Sequence, residues 1–190
     1  MINRKTLAVV LVSLVSMVTG ISLFQIWAPQ RTFAEIQSSK PEPSQPDLQI
    51  SLREIPLIDL EGKSQVLDDW KQPVLVVNFW APWCAPCRRE VPDLIALQDE
   101  YGDQIQVLGL ALDSAENIIS FADEYAMNYP SFLASNHIPM YNAAFGNASG
   151  ALPFTAIVDR KRKIDYAHTG QISLIQLREQ VSKLLQPGLD

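Results

Sequence analysis

Cysteine is nearly absent: in 190 residues only Cys84 and Cys87 carry thiols, and they lie three positions apart. Two cysteines cannot form a multi-bridge disulfide scaffold, and alone they cannot close a four-ligand zinc site. Neither His137 nor His168 lies near them in the chain, so no metal and no cofactor are expected. Glycine (8) and proline (13) are too scarce for a collagen-like or low-complexity chain. Charged residues make up 19% and hydrophobic ones 47%, which excludes wholesale disorder. Basic groups are outnumbered, 15 against 21 acidic, for a net charge of −6. A nucleic-acid partner is therefore not expected, because phosphate-backbone affinity rests on cationic contacts. What remains is thiol chemistry.

Charge is also missing from Leu7 to Ala28, a run of 22 residues. A helix of about 20 apolar residues crosses a hydrocarbon core, whereas the apolar region of a cleaved signal peptide spans only about 7–15. The run reads as an uncleaved anchor, with Thr32-Phe33-Ala34 as the cleavage site of the competing reading. Arg4 and Lys5 precede it and no acid appears before Glu35. The positive-inside rule then puts residues 1–6 in the cytoplasm and everything after 28 on the outer side of the membrane. Residues 29–49, with Pro29, Pro41, Pro43 and Pro46 among Ser and Gln, form an extended spacer. Residues 50–190 make one domain of ordinary size. Residues 29–190 keep 13 basic groups against 21 acidic ones, a net charge of −8.

Within this domain strand and helix periods alternate. Val74–Trp80 is a continuous apolar run, as in a strand covered on both faces. Val91, Leu94, Ile95 and Tyr101 share one helical face, and Pro92 should kink that helix. Ile105–Leu112 reads as a second buried strand. Asp113 and Glu116 form a capping-box pattern for a helix striped by Ile118, Phe121, Ala122 and Tyr125. Phe154–Val158 and Ile164–His168 read as a hairpin around a solvated charged turn at Arg160–Lys163. Ser173 and Gln176 cap a last helix striped by Leu174, Leu177, Val181 and Leu184, which Pro187-Gly188 stops. The pattern predicts an α/β fold with a mixed sheet.

The chemistry follows the first long strand, in Trp83-Cys84-Ala85-Pro86-Cys87. A thiol at a helix start meets unpaired N–H groups and the macrodipole, which stabilise its thiolate. A second thiol one turn later reaches a mixed disulfide formed on the first. Cys84 is thus expected to be the nucleophile and Cys87 the buried resolving thiol. Pro86 is tolerated in the first turn, where its missing N–H goes unused.

The segment from Asn78 through Cys84 and Cys87 to Pro92 resembles the active-site stretch of the TlpA/ResA branch of the thioredoxin superfamily, and the resemblance extends over about residues 50–188. It implies a thioredoxin-like fold, with a mixed sheet flanked by helices and an N-terminal transmembrane helix, and a redox disulfide Cys84–Cys87. Asn78 stands where many thioredoxins carry a buried acid. Glu90 matches an acid that tunes the thiols; from the residues alone it reads equally well as a first-turn carboxylate held by helix electrostatics. Leu152-Pro153 resembles the superfamily's cis-proline site and, with Trp83, implies a docking surface. Gly170 matches the glycine before the final helix, and residues 113–145 resemble the helix-and-strand insertion of this branch.

The chain also departs from the pattern. Asp159-Arg160-Lys161-Arg162-Lys163 replaces an Asp-Gly hairpin. Phe154 follows the proline where a small hydroxyl residue is usual, and is expected to alter the groove beside the active site. Ala81 stands where a peroxiredoxin needs threonine, which argues against a peroxidase. Asn147-Ala148-Ser149 fits a glycosylation sequon as a chance match.

The resemblance implies a membrane-anchored reductase of disulfides in exported proteins, with apocytochrome c as one client class and a membrane electron donor that re-reduces the pair. A disulfide oxidant or isomerase, and a non-catalytic metal-handling module, are the competing readings.

Overall fold

The computed structural model describes residues 51–186; the expected anchor, the spacer and the Pro187-Gly188 stop lie outside the described residues. Strands β1 (Pro56–Ile58) and β2 (Ser64–Val66) pair as an antiparallel hairpin. Then come β3 (Val74–Trp80), helix α1 (Ala85–Tyr101), β4 (Ile105–Ala111), α2 (Ala115–Tyr125), β5 (Ser131–Leu133), α3 (Ile138–Phe145), β6 (Phe154–Val158), β7 (Ile164–Thr169) and α4 (Leu174–Leu185). The main sheet has the order β5-β4-β3-β6-β7, with β4 parallel to β3 and to β5, and β6 antiparallel to β3 and to β7. This is the thioredoxin-like mixed sheet that the periodicities and the resemblance predict.

All seven residues of β3 are buried, so each face of the strand builds its own core. Leu75, Val77 and Phe79 join Tyr141 and Phe145 of α3 and Leu57 of β1. Val74 and Val76 join Leu94 and Leu97 of α1 and Leu177 and Val181 of α4. Trp80, at the strand's end, packs with both cysteines, Val91 of α1, and Ile118 and Phe121 of α2. Each such side chain stabilises the fold by about 1.5–3 kcal/mol relative to exposure. Gly109 of β4 is required by this packing. A Cβ there would lie 2.6 Å from Ser131 Oγ and 2.7 Å from Trp80 Nε1.

Several local expectations need correction. The cap of α2 is Ser114, whose hydroxyl accepts the Asn117 N–H, while Asp113 Oδ1 accepts from the Ser114 N–H and the Asn117 amide. The Ser173–Gln176 capping box of α4 is present as read. The 113–145 insertion contains a further helix, α3, besides α2 and β5. Strands β1, β2 and β5 have three residues each, too short to print a period. Helix α1 keeps Pro92 in its interior, the position where the sequence predicts a kink.

The turn at 159–163 is not simply solvated. It repeats the geometry of the β1–β2 turn. In each, the first Asp N–H donates to the carbonyl of the closing Lys, and that Lys N–H donates to the Asp Oδ1, as in Asp59/Lys63 and Asp159/Lys163. Gly62 supplies a left-handed residue at φ 83° in the first turn, and Arg162 takes the same place at φ 62°. A non-glycine residue there costs about 1–2 kcal/mol. Arg162 offsets this by burying its side chain: Nε pairs with Asp68 Oδ1 at 3.3 Å, and the two Nη atoms donate to the carbonyls of Gln72 and Trp70. The guanidinium thus clamps the β6–β7 turn to the segment entering β3.

Arg162→Ala should therefore lower stability by about 2–4 kcal/mol, because it keeps the strain and orphans the clamp's acceptors. Arg162→Gly should cost about 1 kcal/mol less, since the left-handed residue is then relaxed. Urea unfolding of both variants tests this; equal losses would mean that the turn carries no strain.

Candidate functional site

Strand β3 delivers the chain to the edge of the core, and Ala81 to Cys84 turn it into α1. Cys84 is the N-cap of α1, with its Sγ accepting the Cys87 N–H at 3.3 Å. Cys84 and Cys87 are joined as a disulfide, with Cα atoms 5.2 Å apart. Cys84 is 6% exposed and Cys87 fully buried, the asymmetry expected of an attacking and a resolving sulfur. Pro86 sits in the first turn, and Trp83 projects beside the pair at 66% exposure.

One turn after Cys87, Glu90 is fully buried. Its Oε1 accepts from the Asn78 amide at 2.7 Å, and its Oε2 accepts from the Ile172 N–H at 3.1 Å. The same Asn78 amide donates to Thr155 Oγ1 at 3.0 Å. Glu90 is therefore not a solvated first-turn carboxylate. Loss of water raises its pKa from 4.5 to about 7, against the lowering effect of those two hydrogen bonds; the nearby Asp93 adds a smaller upward push.

The Leu152-Pro153 bond is cis, and Leu152 packs against the cluster that holds both cysteines. Asn147 positions this loop from below. Its amide donates to Asn142 Oδ1 and the Ala151 carbonyl, and its Oδ1 accepts the Ala151 N–H. Buried and so engaged, it is a structural asparagine and not an exposed sequon. Phe154 does not line the groove beside the active site. It pairs with Phe79 in the sheet and meets that ring edge to face at 5.4 Å, in the core on the opposite face. The hydroxyl on the active-site face belongs to Thr155, opposite Asn78. Strand alternation puts Phe154 and Thr155 on opposite faces, and pairing with β3 assigns each to its face.

Sequence reasoning also missed Arg88. Its guanidinium lies over the rings of Phe121 (5.7 Å) and Tyr125 (5.5 Å), and Nε donates to the Tyr125 hydroxyl. His137 holds the N-cap position of α3 without a side-chain capping bond, and the His168 ring lies between the Tyr166 hydroxyl and the Gln171 carbonyl. Neither joins the cysteine network, and no cluster fit for a metal ion occurs among the described residues.

A helix-capping sulfur, a buried partner sulfur and a buried acid one turn further on define a site for thiol–disulfide exchange. Known proteins agree. A model of the AhpC/TSA family matches residues 45–167. The thioredoxin-like protein YneN of Bacillus subtilis (strain 168) is 30% identical over 182 residues, covering 94% of this chain and 97% of the relative. Thiol-disulfide oxidoreductase ResA of Geobacillus thermodenitrificans is 24% identical, covering 96% of this chain and 97% of its own. The crystal structure of a thioredoxin-related protein from Neisseria meningitidis serogroup B superposes with a TM-score of 0.61 at 29% identity, over 67% of this chain and 97% of that one. The chain belongs to the AhpC/TSA family, in its thioredoxin-like, thiol–disulfide oxidoreductase form.

The buried acid has a measurable signature. Between about pH 4.5 and pH 7 the folded protein holds a proton on Glu90 that the unfolded chain has released, so rising pH favours unfolding across that window. For the oxidised protein, whose cysteines do not titrate, Glu90→Gln should remove about 3 kcal/mol of this pH dependence. Denaturant titrations at pH 4.5 and pH 8 read the difference; parallel curves for the two proteins would show that Glu90 ionises normally.

Proposed function

We propose that the protein is a reductase of disulfides in exported proteins, held on the outer face of a membrane by residues 7–28 and spaced from it by 29–49. The single observation that carries the redox role is the Cys84–Cys87 pair at the start of α1, with Cys84 keeping slight exposure and Cys87 and Glu90 fully buried behind it. In the reduced protein the Cys84 thiolate attacks one client sulfur; a Cys84–client disulfide forms and the other client sulfur leaves as a thiolate. Cys87 then passes its proton to the Glu90 carboxylate and attacks Cys84 Sγ. The Cys84–client bond breaks, the client sulfur first attacked leaves as a thiolate, the Cys87 proton stays on Glu90, and Cys84–Cys87 is oxidised. Two electrons have passed to the client, and a membrane electron donor returns the pair to the dithiol. Leu152, joined to Pro153 by a cis bond, packs against the cluster that holds Cys84, and the exposed Trp83 directly precedes Cys84 in the chain. The resemblance to the TlpA/ResA branch supports the direction and suggests apocytochrome c as the client class. The uncharged run 7–28, with Arg4 and Lys5 before it, supports the topology.

Cys87→Ser should accumulate a mixed disulfide with client, whereas Cys84→Ser should accumulate none; the reverse pattern would exchange the two roles. The reduction potential of the pair decides the direction. A value near that of thioredoxin, about −270 mV, is expected, and one near about −120 mV would make the protein an oxidant. Protease added to sealed spheroplasts should digest the domain, while a purified chain starting near Glu35 would convert the anchor into a cleaved signal.

A further inference from the structure

The surface on the α2 side of Cys84 carries a groove of about 320 Å³, whose lining includes Pro82, Trp83, Arg88, Asp113, Phe121 and Glu124. A second hollow of about 280 Å³, beyond the ends of β4 and β5, is bordered by Asp113, Asn136 and His137. Asp113 lines both, so the two hollows lie next to each other, a path of two segments of which the first begins at the exposed indole before Cys84.

Part of this path is rigid. The rings of Phe121 and Tyr125 stack with centroids 4.1 Å apart, and Arg88 is fixed across them by its hydrogen bond to Tyr125. The cation is thereby satisfied by two π faces. The carboxylates are not satisfied. Asp113 uses one oxygen on Ser114 and Asn117, and neither Asp113 nor Glu124 forms an ion pair among the described residues. Helix α2 carries Glu116, Asp123 and Glu124 and no basic residue, and all three are exposed. The path is thus a cleft with an aromatic lip and a net negative rim.

We infer that this path receives the client segment flanking the attacked cysteine, and that Asp113 and Glu124 select segments carrying Lys or Arg there, with an apolar neighbour against Trp83. The inference rests on the oxidoreductase reading and adds to it the chemistry of the partner. Opposite charge across a rim steers encounter and register more than it adds affinity.

The test uses the reduced full-length protein with two cyclic disulfide peptides, identical except for Lys or Glu next to the cysteines, and with hydroxyethyl disulfide as an uncharged small probe. The ratio of the two peptide rates is the readout, so general damage to a variant cancels. The Lys peptide should react about three- to tenfold faster at low ionic strength, with the ratio falling towards one in about 1 M salt. Glu124→Lys should erase most of that preference. Asp165→Lys places the same charge change on β7, the sheet edge opposite β5, and should leave the ratio as in the wild type. A wild-type ratio near one, a preference for the Glu peptide, or equal losses in the two variants would each overturn the inference while the redox reading stands. Failure to react with hydroxyethyl disulfide would overturn the oxidoreductase reading itself, and the inference with it.

Discussion

A single buried carboxyl group ties the site to the fold. Glu90 is part of α1, its amide partner Asn78 belongs to β3, and its backbone partner Ile172 lies in the turn entering α4. Asn78 extends the connection to β6 through Thr155. Burying an ionisable group is costly unless it is hydrogen-bonded or neutral. Here each oxygen receives one donor, and desolvation leaves the acid half-protonated near neutral pH. The two other polar side chains in the network, Asn78 and Thr155, do not titrate. A proton can therefore be held or released in a dry place without disturbing the elements that the carboxyl joins, and Cys87 stands one turn away on the same helix.

That network also explains which features were legible in the sequence. Val74–Trp80 and Phe154–Val158 are apolar runs interrupted only by Asn78 and Thr155, and both strands form with the bounds that the runs suggest. The Cys-x-x-Cys helix start and the Ser173–Gln176 box are local patterns, satisfied within a few residues, and local patterns survive folding. Glu90 was legible as a residue but not as an environment. Its burial depends on Ile172, 82 positions away. Thr155 was hidden by its neighbour, because Phe154 follows the proline directly. Only pairing with β3, Phe154 to Phe79 and Thr155 to Asn78, decides which side chain faces the cysteines.

Arg162 illustrates the opposite failure. Four basic residues in a turn read as a solvated run, and three of them are exposed. The fourth enters a left-handed position where glycine is the usual choice, because carbonyls of Trp70 and Gln72 and the Asp68 carboxylate await a guanidinium. Tertiary hydrogen bonds override local preference there, and no window of the sequence contains both halves of the contact.

The two borders of Cys84 differ in kind. On one side Leu152, joined to Pro153 by a cis bond, packs against the cluster that holds both cysteines, and Asn147 fixes the loop that carries it. On the other side the insertion helix α2 presents polar and acidic side chains around a fixed cation. Exposed charges are screened within about a Debye length and contribute little to stability. Changes at Glu124 or Asp113 Oδ2 therefore leave the buried carboxyl nearly untouched. In the proposed function, a buried acid that tunes the pair and a separate rim that receives the client vary independently. One redox centre can in this way serve different clients through substitutions confined to a single surface helix.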